Sequence, residues 1–370
     1  MADLFDYLIW RGDLPMDLVP PNPVDTLILS ALSYLDYDGL VPGDFLHPVP
    51  LHVVEEAFAA MPDRDERVRV KRDADLLAAC AATERFGHLK LAFYRSELLP
   101  QMQSQFAALT WLLPDGTAMI TYRGTDMTIT GWKEDFNMSF QSSVPAQEKA
   151  LWYLEAFARV HMGPIRLTGH SKGGNLAVYA AARTVPENQE RILSVHNHDG
   201  PGFHSHVLRD PGYRAILPKT RTFLPQSSVV GMLLEHEEPY TVVRSRQVSL
   251  LQHEPYTWEV LGGGFVELEE VDDSSRFLDR TIKEWLSGMD NTERNEIVDT
   301  VFDLLSLGDA KSVFDLIQPK NVRTYLKTLS ADGKLRKILS DEFMSLMEAA
   351  RKTQLALEDS PAAAEDLSKT

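Results

Sequence analysis

The stretch Pro164–Asn175, PIRLTGHSKGGN, decides how this chain is read. Ile165 and Leu167 belong to a short apolar run that ends in Gly169-His170-Ser171-Lys172-Gly173-Gly174. Leu176–Arg183, LAVYAAAR, then continues with helix formers. Strand, sharp turn and helix follow one another, with G-x-S-x-G at the turn. A serine in that turn is forced into a strained backbone conformation that lifts its hydroxyl clear of the sheet. Glycines two before and two after it let the strand and helix backbones pass almost in contact. The helix aims its first N–H groups and the positive end of its dipole at the place where an anion would form. The pattern reads as a nucleophile elbow with Ser171 as the nucleophile.

The bulk numbers narrow the field. The chain has 370 residues, 44% hydrophobic and 25% charged, the composition of an ordinary globular protein. With 37 basic and 54 acidic residues its net charge is −17. Nucleic acid is therefore not an expected partner, since a phosphate backbone asks for a basic face. Docking on anionic lipid through a polybasic patch is disfavoured for the same reason. Cys80 is the one cysteine, which excludes an internal disulfide framework and cysteine-based metal clusters. It lies in an alanine- and leucine-rich run and reads as a small core residue. The N-terminal MADLFDYLIWRGDLP lacks a positive leading region, and no apolar run is long enough to span a bilayer. The expected location is cytoplasmic.

Residues 1–87 read as a helical cover, with helices through Leu27–Leu35, Val53–Ala60 and Ala74–Ala82. From 88 to 272 strands alternate with helices, which implies a mostly parallel sheet covered on both faces. Leu89–Tyr94, Gln105–Leu113 and Ala118–Tyr122 read as strands, the last two joined at the Asp115-Gly116 turn. A loop carrying Trp132 and Asp135 leads to helix Gln147–His161. Ile192–Asn197, Thr220–Pro225 and Thr241–Ser245 are further strands, with Gln247–Leu251 continuing or pairing with the last. Residues 273–357 carry only helical periodicity, including a capping-box pattern at Asp290 and Glu293. Residues 358–370 read as a disordered tail.

A serine nucleophile needs a histidine to take its proton and an acid to hold that histidine. On a sheet with such an elbow the chain order is serine, acid, histidine. His196, His198, His204 and His206 crowd one strand end, too early to follow a separate acid. His236 lies in a charge-rich stretch of loop character. His253 follows the last strand, where the histidine-bearing loop belongs. For the acid, Asp199 directly follows the strand after the elbow, at the sheet edge where ligands bind. Glu235, Glu237 and Glu254 compete with it, and an Asp-Gly pair is also a common turn former. Lys172 could be imagined as a base beside Ser171, but the residue after such a serine ordinarily contributes its backbone N–H.

Thr121-Tyr122-Arg123-Gly124-Thr125, then Trp132-x-x-Asp135, then Gly169-His170-Ser171-x-Gly173-Gly174 resemble the fungal-type triacylglycerol lipases, lipase class 3, of the α/β-hydrolase superfamily. The resemblance covers roughly residues 88–255. It implies that Thr125 and the backbone N–H of Lys172 form an oxyanion hole. The pattern departs where that family has its acid: N-D-x-V-P is replaced by Gln226-Ser227-Ser228-Val229-Val230-Gly231, without a carboxylate. Asp199 becomes the natural replacement, as in other α/β-hydrolases. GHSKGGNLA, DGPGF, SSVVG and QHEPYTW together also resemble a bacterial branch of the superfamily described only as a domain of unknown function.

The expectation is an α/β-hydrolase fold with N-terminal helices and a C-terminal helical extension. The expected function is a serine hydrolase of carboxylic esters, lipase- or esterase-like, using Ser171, His253 and Asp199, with no metal or organic cofactor. Its substrate would be a small-molecule ester, lipids included; the oligomeric state stays open. Two alternatives stand beside it: a catalytically silent scaffold binding an acyl ligand or a protein, and a thioesterase or amidase. Arg123 and Asp135 are expected to be structural, ion-paired under a loop. Residues 126–145 are, by position, the candidates for a lid.

Overall fold

The computed structural model describes residues 1–126, 128–138, 140–307 and 318–358. They form two compact units, Met1–Asp126 with Ser142–Val271, and Met127–Gln141 with Asp272–Thr370. The tail expected to be disordered lies outside the described residues from 359 onward.

The first unit is built on one nine-stranded sheet. In chain order its strands are β1 (Val49–Pro50), β2 (Lys90–Leu99), β3 (Ser104–Leu112), β4 (Ala118–Tyr122), β5 (Ile165–His170), β6 (Ile192–His198), β7 (Thr220–Pro225) and β8 (Tyr240–Val243), with Glu267–Leu268 closing the edge. Spatial order equals chain order. From β1 to β4 neighbours are antiparallel, from β4 to β8 parallel, and Glu267–Leu268 is antiparallel to β8. The β3–β4 hairpin turns at Gly116, whose φ of 80° suits glycine. One register row runs Tyr122, Gly169, Asn197, Thr222, Tyr240 across β4 to β8. The residues that follow these strands therefore emerge along a single edge.

β3 and β4 are almost wholly buried, as apolar runs covered on both faces should be. On one face, Leu27, Ile28, Leu76, Leu77 and Cys80 of the N-terminal helices share a core with Leu91, Leu109, Trp111 and Met119 of the sheet. Burial pushes the Cys80 thiol up, the state of an inert core cysteine. Helix Pro23–Leu32 is capped by Asn22, and Asp25 completes the box by accepting from the Asn22 backbone. The same carboxylate takes two hydrogen bonds from Arg85, at 2.6 and 2.7 Å, and one from the Tyr7 hydroxyl at 2.7 Å. Both members of that ion pair are shut off from solvent. The ion pair holds the N-terminal cover together internally, while apolar contact joins that cover to the sheet.

The second unit is helical: Ile129–Met138, Asp273–Ser287, Asn291–Ser306, Pro319–Ala331 and Gly333–Glu358. Asp290 and Glu293 form the expected capping box. The segment expected as a loop with Trp132 and Asp135 is instead the helix Ile129–Met138. Phe140 joins Val298 and Phe302 in a small core, Phe136 meets the Phe302 ring edge at 5.7 Å, and Lys133 pairs with Asp299 at 2.7 Å. None of the described helices is long and apolar enough to cross a membrane.

One helix of the N-terminal cover is added and one further expectation is corrected. Leu4–Arg11 is a capped helix that the apolar spacing does not reveal. Gln247–Leu251 does not extend the sheet; Ser249–His253 is a 3-10 turn, tied down where the Trp258 indole donates to the Gln252 carbonyl at 2.9 Å.

Candidate active site

β5 ends at His170 and helix Lys172–Arg183 begins one residue later, with Ser171 between them at φ 59° and ψ −136°. A non-glycine residue holds such a backbone only when its surroundings impose it. Here the Ser171 N–H donates to the His198 carbonyl of β6 at 2.9 Å, and the Gly174 N–H donates to the Ser171 carbonyl at 2.9 Å. Strand and helix run so close that a Cβ on Gly169 would lie 2.1 Å from the Gly173 backbone. The loop after β4 crosses the same spot: a Cβ on Gly124 would stand 3.0 Å from that of Ser171. Thr125, half-buried, is the next residue along. Lys172 opens the helix, where the positive end of the dipole lies. Its buried ammonium turns to the Gln105 carbonyl of β3, at 3.2 Å. Arg123 pairs with Asp126 at 3.9 Å.

Asp199 follows β6 directly, fully buried and at φ 55°. One carboxylate oxygen accepts from His253 Nδ1 at 2.6 Å. The other accepts from the Ser228 hydroxyl at 2.5 Å, and the Ser228 oxygen in turn accepts the Gly231 N–H at 3.1 Å. Gly231 has to be glycine for space: a Cβ there would stand 2.4 Å from the Asp199 oxygen. The His253 side chain is 26% exposed and that of Asp199 1%, so the ring joins a buried anion to an accessible surface. Among the described residues no hydrogen bond joins the Ser171 hydroxyl to the His253 ring. Unliganded sites commonly close that contact only around a substrate.

Several of the competing residues are engaged elsewhere. Both Glu254 oxygens bind Arg69, at 2.7 and 2.8 Å. His196 and His198 share the Thr26 hydroxyl under helix Pro23–Leu32, at 2.8 and 2.9 Å. Burial holds His196 down to about 3 and His198 well below the ordinary imidazole range. His236 bridges Glu238 and the Gly231 carbonyl. Together with Tyr213 and Thr222, that histidine holds Glu238 down to about 2, overcoming its burial. Among the described residues no group of three or more His, Cys, Asp or Glu could hold a metal ion.

The sequence marks position 228 only as lacking a carboxylate. What it conceals is that Ser228 serves a carboxylate supplied by the neighbouring strand. The signal is there in hindsight, because Gly231 and two hydroxyls follow β7 where an acid is missing.

A mixed sheet with a parallel run from β4 to β8, a strand–serine–helix turn at its middle and an acid–histidine pair on the same edge define an α/β-hydrolase fold. Within that class the chain belongs to the Mbeg1-like family, which it matches over residues 80–303. Solved structures similar to it include two lipases and the protein MDLA. The native Rhizomucor miehei lipase propeptide complex shares 14% identity over 65% of this chain and 79% of that one, with a TM-score of 0.38. A mutant form of MDLA from Penicillium cyclopium shares 11% over 68% and 87%, with a TM-score of 0.39. A triacylglycerol lipase from Penicillium expansum shares 12% over 51% and 78%, with a TM-score of 0.31. No curated protein sequence matches the chain.

Proposed function

We propose that the protein is a cytoplasmic serine hydrolase that cleaves carboxylic esters through an acyl-enzyme. Ser171 Oγ attacks the acyl carbon while His253 takes its proton. Asp199 holds the imidazole with Nδ1–H toward the carboxylate, leaving Nε2 as the base, and stabilises the imidazolium that forms. Thr125 and the Lys172 backbone N–H receive the oxyanion of the tetrahedral intermediate. The imidazolium then protonates the departing alkoxide. Water, deprotonated by the same ring, attacks the acyl-serine and releases the acid.

The observation that carries this reading is the 2.6 Å contact of His253 Nδ1 with Asp199, on the sheet edge that also bears the positive-φ Ser171. The alternative of a silent scaffold takes its motive from the missing carboxylate at position 228, and the Asp199–His253 contact supports the hydrolase over it. The test is labelling with a fluorophosphonate, followed by turnover of p-nitrophenyl esters of increasing chain length. Labelling and turnover should vanish in Ser171→Ala and in His253→Ala. A folded wild type that takes no label would leave the scaffold reading in its place.

A further inference from the structure

Residues 1–87 contribute neither Ser171 nor the Asp199–His253 pair, yet three contacts tie them to the turn that carries His253. Arg69 grips both oxygens of Glu254, at 2.7 and 2.8 Å. Asp73, fully buried, accepts the Tyr256 hydroxyl at 2.7 Å. The Tyr34 hydroxyl bonds His170 Nδ1 at 2.9 Å, and His170 Nε2 bonds the backbone carbonyl of His253 at 2.7 Å. The first and third contacts are joined, because the Arg69 guanidinium lies over the Tyr34 ring, 4.6 Å from its centroid. The His170 ring also lies against that of His253, with centroids 4.5 Å apart.

We infer that Arg69, Tyr34 and His170 are positioning residues that fix the backbone and ring plane of His253 for proton transfer. The inference rests on the serine-hydrolase reading of Ser171 and His253. A carbonyl oxygen can only accept, so His170 Nε2 carries the hydrogen and its Nδ1 lone pair receives the Tyr34 O–H. Both nitrogens are then satisfied in the neutral tautomer. Burial, with His253 and Arg69 alongside, keeps His170 well below the ordinary imidazole range. A neutral ring is what this place requires, since a cation there would oppose the positive charge His253 must take up in each cycle.

The clamp is needed because the turn has little structure of its own. It consists of two short 3-10 segments, Ser249–His253 and Pro255–Thr257. Arg69 and Asp73 hold it on the far side of His253 from Asp199 in sequence, at Glu254 and Tyr256. His170, directly before Ser171, links the base's main chain to the nucleophile's own strand. An error of about 1 Å in such a placement can cost on the order of a hundredfold in rate.

The test uses the full chain with p-nitrophenyl butyrate, fluorophosphonate labelling and imidazole NMR. Arg69→Met should lower kcat by about 10- to 100-fold with KM nearly unchanged. It should also speed amide exchange in residues 252–257 and broaden the His253 ring signals. Tyr34→Phe keeps the ring under Arg69 and removes only the hydroxyl. It should lower kcat by roughly tenfold and shift the His170 nitrogen signals, and it decides the matter if Arg69→Met does not fold. Wild-type kcat and unchanged His253 signals in both variants would overturn the positioning role while leaving the hydrolase intact. An unlabelled wild type would overturn both, so the two failures are distinguishable.

Discussion

Ser228 donates its hydroxyl to the Asp199 carboxylate at 2.5 Å, joining the end of β7 to the end of β6. The fungal-type lipases that the sequence resembles carry their acid after the later strand, where this chain has Ser227-Ser228. Under the proposed function the acid is Asp199, one strand inward, and the Ser228 hydroxyl stands at the end of the later strand.

That relationship makes the acid's location testable. Asp199→Asn should reduce ester turnover by about 10³- to 10⁴-fold with the fold intact, because an amide cannot hold the same tautomer of His253. Ser228→Ala should cost less, about tenfold, since it removes one donor and leaves the carboxylate. Moving the acid, Asp199→Ser with Ser228→Asp, should recover at least about tenfold over Asp199→Ser alone. Steady-state kinetics on the four variants checks all three expectations, and unchanged turnover in Asp199→Asn would sink the assignment.

Gly231→Ala should injure the site from outside it. The new methyl would stand 2.3 Å from Leu224 Cδ2 and 2.4 Å from Asp199 Oδ1. Overpacking of this kind costs roughly 1–3 kcal/mol, readable as a lower Tm. Turnover should fall as well, because the carboxylate has to shift away from His253 Nδ1.

Stability should fall in acid earlier than carboxylate titration alone would produce. His170, His196 and His198 are buried and held below the ordinary imidazole pKa, His196 down to about 3. The groups around His196 are Thr26, His198, Arg166 and Arg221, of which the two arginines and burial disfavour its protonation. Unfolded histidines take up protons near pH 6.5, so the unfolded state binds more protons below that pH and gains stability there. The contribution is complete above about pH 6.5 and is lost as pH falls, at up to about 1.4 kcal/mol per unit for each histidine. Glu238, lowered to about 2, adds a further loss below the ordinary glutamate range. Urea midpoints measured from pH 7.5 to 5 check the sign, and His196→Gln should flatten the slope.

The Arg85–Asp25 pair predicts how closely the N-terminal helices are bound into the fold. Arg85→Met leaves a buried carboxylate without its cation and should destabilise the protein by about 3–5 kcal/mol. Arg85→Met with Asp25→Asn should recover part of that loss, because no uncompensated charge remains. Urea denaturation of the two variants gives the comparison.

Local features of this fold are written in the sequence, and relations between strands are not. The turn at Ser171 is legible because strand, glycines and helix lie within twenty residues. The positions of His253 and Asp199 could be narrowed from chain order, since the sheet is assembled in that order. Ser228 could not be read, because its role depends on β6 and β7 ending side by side. Strands of two residues, such as Val49–Pro50 and Glu267–Leu268, are too short to leave a pattern. Helix Ile129–Met138 escapes a local reading because its partners lie near residue 300. Tyr34 and Arg69 carry no local motif at all; only their bonds to His170 and Glu254 distinguish them.

The pairing of Phe136 and Phe140 with Val298 and Phe302 has a consequence for synthesis. On the ribosome the segment after Gly124-Thr125 emerges well before the helix that receives it. At about 5–20 residues per second, its aromatic side chains wait roughly ten to thirty seconds for their partners. During that interval the first unit's strands can already pair, while Phe136 and Phe140 still lack Val298 and Phe302. Translation order therefore gives Phe136 and Phe140 their partners late, and a nascent chain stopped before residue 298 should present those two rings to a chaperone.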